Sequence, residues 1–402
     1  TVAHDDPVYQ EQIRALFGRT AVDVFTPPGP DRRDSFFAQT LPSSQAHARQ
    51  YVGIAAQGRS PKVIFLRSVL ALMAAAQRAH DQAGGKRNKA NPADAYMTML
   101  GYFNSLRELG GCRRILEDEV QTKLVDRSRR RRVGEAESLF ADRKKFSAVV
   151  ELTSRVGTDM VADAKRRLAR AHDEDDHVDT AIATNMISVG LDITRLGLMV
   201  VFGQPKTSAE YIQATSRVGR EETRPGLVLT LLNIHKPRDR SHYERFGFYH
   251  TTFYRSVEAT SVTPFSPRAL DRGLAGALVA LARHGLEQMT PPRGAEQVLA
   301  LRTQLDSCID VMIARAVNHT SLSADEEREL RQKVRDRCQD LLDEWARIAG
   351  DYKQTSTPFQ YQTWEIGGAK ALIRGFLDPE LKTLPPRFKK FRANRSMRDV
   401  EP

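Results

Sequence analysis

Cysteine is scarce in this sequence, and the cysteines that occur are far apart. Cys112, Cys308 and Cys338 form no Cys-x-x-Cys pair. Zinc ribbons and small disulfide-stapled domains both require several cysteines at short spacings. We therefore expect neither a zinc site nor a disulfide framework, and a reducing, cytoplasmic location fits this composition.

Long apolar runs are also missing. The most apolar stretch, residues 63–76, is interrupted by Arg67 and Ser68. A transmembrane helix needs about 20 consecutive apolar residues, so we interpret this stretch as a buried helix and expect no membrane partner. No signal peptide is visible at the amino terminus. The first residue is Thr rather than Met, as expected of a fragment or a processed chain.

The sequence contains no phosphate-binding loop of the form G-x-x-x-x-G-K-[ST]. The stretch GGKR at residues 84–87 follows no strong strand, so we interpret it as a surface loop. The acidic stretch DEDD at residues 173–176 follows no phosphate loop, and we interpret it as solvent-exposed rather than magnesium-binding. The usual sequence signals for holding nucleotide phosphates and Mg²⁺ are therefore absent from this chain.

What the sequence does have is positive charge. Its 402 residues carry a formal net charge of +11, with a pI near 9.6. Hydrophobic residues make up 41% and charged residues 28%, as in an ordinary soluble globular protein. The charge favours a polyanionic partner, but by itself it does not separate nucleic acid from a membrane surface or from plain solubility.

Short apolar runs that alternate with helical patterns predict an α/β fold with a mainly parallel sheet. The predicted strands are residues 51–55, 96–103, 148–152, 180–183, 198–202 and 226–232. From residue 253 onward the composition turns helical, and Ser323 with Glu326 predicts a capped long helix that Gly350 closes. We predict three parts: a lead-in of helix and irregular loop (1–50), the α/β domain (51–250), and a mostly α-helical accessory region with a basic tail (251–402).

Residues 179–220 carry the most informative pattern. They read as strand, loop, strand and helix, with Thr207 or Ser208 as the helix cap. Arg217 and Arg220 are three residues apart, which on a helix puts both on one face. Two guanidiniums held together suit phosphate oxygens, although a solvated helix face is the alternative. Ligands of α/β sheets bind at the carboxyl ends of the strands, so we expect the site there.

Two stretches in this region resemble known helicase motifs. ATNMISVGLDI resembles motif V of superfamily 2 helicases, and QATSRVGR resembles their motif VI, usually written Q-x-x-G-R-x-G-R. Ser216 departs from that pattern, which normally has Gly there. Further segments resemble the DrmA family, the helicases of DISARM anti-phage defence systems: GYFNSLRELGG, ELTSR, GQPKTSAEYIQATSRVGR, FYRSVEATSVTPFSPRALDR and NRSMRDVEP.

The resemblance implies a second RecA-like domain, a parallel sheet flanked by helices, and a role for each matching residue. Arg217 and Arg220 correspond to the arginine fingers that act on the phosphoryl group of ATP. Nucleotide-binding positions would be Gln213, Gly190 and Asp192, with a plain turn as the alternative for the last two. Nucleic-acid contacts would come from Thr184, Asn185, Asn104, Ser154 and Arg155. ATP would be the cofactor, and the missing amino-terminal half would hold its Mg²⁺, so this chain contributes no metal ligand and is expected to be inactive alone.

Two basic segments lie outside the motifs. Arg127 and residues 129–132 form a dense cluster, which is either a solvated, mobile loop or a nucleic-acid contact. The tail, residues 387–398, has six basic residues and no acidic one, with Phe388 and Phe391 between them. It could bind nucleic acid by phosphate contact and stacking, dock on an acidic partner, or be disordered. The candidate contacts in the tail are Arg392, Arg395 and Arg398.

Two classes of function fit these observations. The first is the carboxyl-terminal half of an ATP-dependent DNA helicase or translocase, acting on single-stranded DNA. Its partners would be an amino-terminal RecA-like half, in the same protein or a separate subunit, and other defence-system subunits. The second is a non-catalytic nucleic-acid-binding or scaffold subunit with a helicase-like fold. The arginine pair favours the first class, because binding alone does not require that spacing.

Overall fold

The computed structural model describes most of the chain. The described residues are 7–22, 39, 41–42, 44–46, 49–55, 57–131, 133–153, 155–156, 158–184, 192–252, 257–258, 262–363, 365–376 and 378–393. They divide into two compact units. The first unit contains the sheet, up to Glu258, and the second contains the helices from residue 262 onward. Helix α1 (Pro7–Phe17) belongs to the second unit, where Arg315 donates a hydrogen bond to the carbonyl of Ala15 at 2.5 Å.

The first unit is built on a six-stranded sheet in the order β1-β6-β5-β2-β4-β3. Its strands are β1 (Gln50–Ala55), β2 (Met99–Phe103), β3 (Val150–Leu152), β4 (Thr180–Ala183), β5 (Leu198–Phe202) and β6 (Leu227–Leu232). Every neighbouring pair is parallel. The predicted α/β fold with a RecA-like parallel sheet is confirmed.

Helices cover both faces of this sheet. They are α2 (Pro61–Gln82), α3 (Asp94–Met97), α4 (Leu106–Arg114), α5 (Gln121–Leu124), α6 (Thr158–Ala169), α7 (Ser208–Thr215), α8 (Pro237–Glu244) and α9 (Phe246–Thr251). A π-helical segment, Ile115–Val120, joins α4 to α5. Tyr102 and Val201 point to the face covered by α6 and α7, whereas Phe103 and Val200 point to the face covered by α2 and α4. Burial on both faces explains why the central strands show no polar alternation.

Strand β2 is shorter than predicted, because residues 94–97 form one turn of helix instead of extended chain. The carboxylate of Asp94 accepts a hydrogen bond from Nε of Arg195 at 3.0 Å and another from the amide of His172 at 2.7 Å. Both partners lie outside β2, so tertiary contacts fix this turn. The sheet ladder begins only where Met99 donates to the carbonyl of Asp179 at 2.9 Å.

The second unit is mainly helical and has its own core. Its helices besides α1 are α10 (Pro267–Gly285), α11 (Val298–Leu301), α12 (Asp306–Val317) and α13 (Ala324–Gln354), with a small parallel pair β7 (Phe359–Gln360) and β8 (Lys370–Ala371). Trp345 of α13 is completely buried in this core, and its Nε1 donates to the carbonyl of Ala295 at 3.0 Å. Within the described residues, no helix is both long enough and apolar enough to cross a bilayer.

Helix α13 begins as predicted and ends later than predicted. Ser323 and Glu326 form the expected capping box. Gly350 does not close the helix, which continues to Gln354. The left-handed residue at its end is Ser356, with φ of 54°, and Thr357 donates to the carbonyl of Tyr352 at 2.9 Å. A serine therefore occupies the conformation for which glycine is usually selected.

The described part of the basic tail is folded onto its own unit. Phe388 and Phe391 are 5% and 1% exposed, so the prediction that their rings stack on nucleic-acid bases is wrong. Lys390 pairs with Asp340 at 2.8 Å, and Arg387 pairs with Asp351. The two rings lie in the core because these ion pairs and the apolar surface of α13 hold the segment in place. Its charges are thus partly neutralised within the unit.

A buried polar cluster lies where β4 begins. Arg143 and Asp179 form an ion pair, with side chains only 2% and 1% exposed. Nδ1 of His172 and Nε2 of His177 lie 3.5 and 3.4 Å from the same oxygen of Asp179. Burial lowers the pKa of His172, whereas the hydrogen bond to Asp179 raises the pKa of His177. Nδ1 of His177 also lies 2.8 Å from the carbonyl of Glu174, so the doubly protonated ring can donate at both nitrogens.

We predict that His177→Ala destabilises the first unit mainly at low pH. The pKa of His177 is higher in the folded protein than in the unfolded chain, where it is 6.5. The protonated ring therefore contributes its full share to the free energy of unfolding below pH 6.5, and this contribution is lost as the pH rises through the folded pKa. The loss should be about 1–3 kcal/mol near pH 5.5 and clearly smaller near pH 9. Urea unfolding at both values measures it, with His235→Ala, an exposed histidine, as the control. A loss that is equal at both values would contradict this assignment.

Candidate functional site

Three of the predicted nucleic-acid residues follow strands of the sheet, at its carboxyl edge. Asn104 follows β2, Thr184 follows β4, and Arg155 lies three residues beyond the end of β3. Because the strands are parallel, all three lie at the same edge, as predicted. Asn185 and Ser154 lie outside the described residues, as do Arg395 and Arg398.

Asn104 is partly committed to holding the edge together. Its Nδ2 donates to the carbonyl of Phe202 at 3.1 Å, at the end of the neighbouring strand β5. Its Oδ1 is buried and has no hydrogen-bond partner among the described residues. The amide nitrogen is therefore committed to the sheet edge, and the carbonyl oxygen is covered by protein. Its contact with nucleic acid stays a prediction.

The loops after β5 and β6 are tied by a residue that the sequence reasoning missed. Asp239, in the first turn of α8, is 1% exposed. Its two carboxylate oxygens accept from the amides of Gln204 at 3.2 Å and Asn233 at 3.0 Å. A buried carboxylate with two amide donors is a well-satisfied arrangement. No local sequence signal indicates it, because the amide of Gln204 comes from a loop 35 residues away along the chain.

Arg155 is exposed beside an open cleft at the edge strand β3. The cleft has a volume of about 670 Å³ and is lined also by Arg113, Met160 and Arg167. The backbone amide of Arg155 donates to Oγ1 of Thr153 at 3.4 Å, which turns the chain away from the strand. An exposed guanidinium at this position fits a contact with a phosphate backbone.

The two motif VI arginines are not on a helix, and in this respect the prediction is wrong. Helix α7 is capped by Thr207 as predicted, but it ends at Thr215. Arg217 and Arg220 lie in the turn that follows. Gly219 in this turn has φ of 64°, a left-handed conformation that ends the helical path. Residues 216–220 are called the arginine turn below.

The arginine turn lies at the amino ends of the strands, not at the carboxyl edge that we predicted for the site. The amide of Gly219 donates to the carbonyl of Leu196 at 2.8 Å, two residues before β5 begins. The reason is topological: α7 starts after β5 at the carboxyl edge and must return to the amino edge before β6 can run parallel. The connection from Thr184 to β5 crosses the sheet in the same direction, and residues 185–191 within it lie outside the described residues.

Close backbone packing fixes the arginine turn. Gly226 directly precedes β6. A Cβ placed on Gly219 would lie 2.4 Å from the backbone nitrogen of Gly226. Only glycine at position 219 fits both this contact and the positive φ. Val218, between the two arginines, is completely buried. The backbone that carries the two guanidiniums is therefore rigidly attached to the starts of β5 and β6.

Arg217, Arg220 and Asp192 form one charged group. Nη1 of Arg220 lies 2.5 Å from Oδ1 of Asp192, and their side chains are 33% and 74% exposed. Burial and the charge of Arg220 lower the pKa of Arg217, and Asp192 acts in the opposite direction. The two guanidiniums are thus close enough to repel each other. A bound anion would relieve that repulsion, and a half-exposed ion pair costs little to exchange.

The remaining predicted nucleotide residues are placed less completely. Gln213 is exposed on α7, four residues before Arg217. Gly190 lies outside the described residues. Glu258 was not predicted; its carboxylate accepts from the amide of Ser208 at 2.7 Å, at the amino end of α7. Glu258 therefore holds the start of α7, and the contact of Gly219 with Leu196 holds the turn that follows its end.

Among the described residues, one group has the side chains and spacing of a metal site: His172, His177 and Asp179. Nη2 of Arg143 lies 3.5 Å from Nδ1 of His172 and also contacts Asp179. The guanidinium already occupies the place where this group would hold a cation. We therefore interpret the cluster as a structural ion-pair network rather than as a metal centre.

Comparison with known proteins adds a family to this geometry. Residues 115–222 match the helicase conserved C-terminal domain. Over 334 residues the chain is 35% identical to the DISARM protein DrmA of Bacillus paralicheniformis, covering 83% of this chain and 28% of that protein. The chain contains a helicase C-terminal domain and is related to DrmA over most of its length. The resemblance seen in the motifs is confirmed, and the chain spans just over a quarter of the length of DrmA.

Two solved helicase structures show a weaker likeness to this chain. The DUF1998 helicase MrfA bound to DNA is 15% identical, with 56% of this chain and 24% of that chain covered and a TM-score of 0.36. Mycobacterium smegmatis helicase Lhr, bound to ssDNA and AMP-PNP, is 12% identical, with 74% and 30% covered and a TM-score of 0.35. Likenesses at this level say nothing about the site of this chain.

The basic cluster of the helicase domain is a structured turn over its described residues, 127 and 129–131. Arg129 pairs with Asp126 at 2.8 Å, and Nη1 of Arg131 donates to the carbonyl of Ala136 at 3.1 Å. The guanidinium of Arg127 lies over the ring of Phe140, 5.3 Å from its centre. These local partners account for part of its charge, and a nucleic-acid contact there stays a prediction.

We predict that Gly219→Ala destabilises the helicase domain by roughly 2–4 kcal/mol, because the added Cβ meets backbone and the φ is positive. Gly110→Ala is the matched control. Gly110 lies on the exposed side of α4 with nothing within 4 Å of an added Cβ, so alanine there should stabilise by roughly 0.5–1 kcal/mol. Chemical unfolding of both variants measures the difference. Equal stability of the two variants would disprove the close glycine packing.

Proposed function

We propose that this chain is the carboxyl-terminal half of an ATP-dependent DNA helicase or translocase. The observation that carries this proposal is the arginine turn. It presents Arg217 and Arg220 together, beside the exchangeable partner Asp192, on backbone fixed by the contact between Gly219 and Gly226. Transition-state stabilisation requires positive groups that are already in place before the reaction.

The donor set of the arginine turn fits a nucleotide phosphate. Each guanidinium offers planar, paired N–H donors that match phosphoryl oxygens, and mutual repulsion makes an anion favourable between them. ATP, when bound, supplies the γ-phosphoryl group, with ADP as its leaving group, and the other half would hold Mg²⁺. In this chain, Arg217 and Arg220 would stabilise the developing charge, and Gln213 would orient the nucleotide or the attacking water. Asp192 would hold the Arg220 guanidinium until ATP binds. Together with Gly190 it would contact the bound nucleotide.

Nucleic acid would bind at the opposite edge of the sheet. Asn104, Thr184 and Arg155 follow strands there, and with Asn185 and Ser154 they would contact the backbone of single-stranded DNA without reading sequence. The connection that starts at Thr184 contains Asp192 and leads into β5. We propose that this one connection links occupation of the nucleic-acid edge to the position of the nucleotide residues.

The wider role follows from the relative. Similarity to DrmA over most of this chain supports a role in bacterial anti-phage defence. We propose that the chain acts there in the cytoplasm. The amino-terminal RecA-like half would provide the phosphate loop, either in the same protein or as a separate subunit. Other subunits of the defence system are further candidate partners.

We expect Arg220→Ala, made in the longer protein that contains this chain, to lower the kcat of DNA-stimulated ATP hydrolysis by roughly 10³-fold or more. Arg217→Ala should act in the same direction, and the KM for ATP should change much less. The control is Arg166→Ala on α6, an exposed arginine paired with Asp163 at 2.9 Å. Initial rates over a range of ATP concentrations give both constants.

Normal turnover in the Arg220→Ala variant would remove the arginine-finger role. The non-catalytic alternative predicts something different: the wild-type protein would bind nucleic acid but show no ATP hydrolysis that depends on it. The comparison of wild type, Arg220→Ala and Arg166→Ala therefore separates a catalytic arginine turn from a helicase fold used only for binding.

We also expect Arg155→Ala to weaken binding of single-stranded DNA by this chain. Removal of one phosphate contact should flatten the dependence of log affinity on log salt by about 0.7 and affect all base sequences alike. Fluorescence anisotropy with a labelled oligonucleotide at several salt concentrations measures the slope, again with Arg166→Ala as the charge-matched control. The proposed tail contacts, Arg392, Arg395 and Arg398, can be tested in the same titration. Equal slopes for wild type and Arg155→Ala would exclude Arg155 from the interface.

A further inference from the structure

Arg49 contacts the arginine turn from outside both motifs. It directly precedes β1, and its Nε donates to the carbonyl of Val218 at 2.8 Å. Its Nη2 reaches the carbonyl of Gly219 at 3.5 Å. These two carbonyls lie between Arg217 and Arg220 along the chain. The side chain of Arg49 is half-buried, so the contacts form in a partly desolvated place where a hydrogen bond counts for more.

The backbone around Arg49 is attached to the same layer of the fold. Gln50, the next residue, donates from its amide to the carbonyl of Gly226 at 2.7 Å. Gly226 is the residue against which Gly219 packs. The start of β1, the start of β6 and the arginine turn are therefore stacked on one another. Arg49 adds a side-chain link across this stack that no other described residue makes to the Val218 and Gly219 carbonyls.

The chemistry of Arg49 suits this position. Val218 and Gly219 lie beyond the end of α7, in irregular chain where no helix or strand ladder supplies a partner for their carbonyls. The guanidinium of Arg49 satisfies both carbonyls with one side chain, and a hydrogen bond from a charged donor is stronger than one from a neutral donor. The contact also uses a planar group with fixed geometry, so it restrains both the position and the tilt of the turn.

We infer that Arg49 is a positioning residue for the two motif VI arginines, an assignment that rests on the function proposed above. It does not touch the reacting atoms. It holds the Val218 and Gly219 carbonyls so that Arg217 and Arg220 meet the phosphoryl group in one fixed arrangement. A displacement of about 1 Å at a catalytic group can cost roughly 100-fold in rate, so a residue that acts in this way should be visible in kcat.

The first test needs no nucleotide and uses this chain by itself. Amide hydrogen exchange reports local opening of the backbone. In Arg49→Ala, the amides of Arg217, Val218 and Gly219 should exchange about tenfold faster or more, while amides of the central strands β2 and β5 keep their rates. Arg14→Ala is the matched control, because its Nε donates to the carbonyl of Asn318 at 3.1 Å in the helical unit. It should leave the arginine turn unchanged.

The second test is a double-mutant cycle in the longer protein. Arg49→Ala should lower kcat for ATP hydrolysis by roughly 10- to 100-fold with less than about a threefold change in KM, and Arg49→Lys should recover part of the loss. If Arg49 acts only through the motif VI arginines, then adding Arg49→Ala to Arg217→Ala/Arg220→Ala should cause no further loss. A general structural role would instead lower kcat in both backgrounds.

The outcomes separate this inference from the proposed function. If Arg220→Ala abolishes turnover while Arg49→Ala has normal kcat and normal exchange at the arginine turn, the inference is overturned and the function stands. If Arg220→Ala leaves turnover unchanged, the proposed function fails whatever Arg49 does. Faster exchange at the turn with an unchanged kcat would also overturn the inference, because the turn would then not need this restraint for catalysis.

Discussion

Parallel pairing of all six strands is the constraint on which the rest of the first unit depends. Each connection between parallel strands must return from the carboxyl edge to the amino edge. Motif V begins at one edge, at Ala183, the last residue of β4, and Asp192 near its end pairs with Arg220 at the other edge. Helix α7 makes the same crossing and delivers the arginine turn to the amino ends of β5 and β6. Thr184 and Asp192, which are close in sequence, thus lie at opposite edges of the sheet. Asp192 of motif V and Arg220 of motif VI meet at the amino edge.

The charged groups of this unit fall into two kinds, which differ in exposure. Arg143 with Asp179 and Arg195 with Asp94 are buried pairs that join the starts of strands to neighbouring segments. Removing one partner of such a pair leaves an uncompensated buried charge, so these pairs fix structure. Arg220 and Asp192 form a pair that solvent reaches. Breaking it costs little, as the proposed exchange of this carboxylate for a phosphate requires.

The helical unit uses its charges to hold its own tail. Lys390 lies between Asp340 and Glu344 of α13, and the rings of Phe388 and Phe391 are in the core. Arg392 lies over the ring of Phe376, 5.1 Å from its centre, and donates to the carbonyl of Lys389 at 2.7 Å. A basic segment with interleaved aromatic residues therefore has a structural explanation up to residue 393. Its composition alone resembles a nucleic-acid-binding tail, because composition does not tell which face of a segment is buried.

The sequence by itself determined the local features. Strands β4 and β5 have the predicted bounds because short apolar runs of four or five residues suit strands buried on both faces of a parallel sheet. Thr207 and Ser323 cap helices because their hydroxyls accept from nearby amides. It also supplied the motif residues and the family. Tertiary structure decided what depends on distant partners: that α7 stops at Thr215, that the arginine turn lies at the amino edge, and that Asp192 pairs with Arg220. Gly226, Leu196 and Arg49 fix that turn, and they meet it only when the strands have paired, so no pattern within residues 207–220 could reveal it.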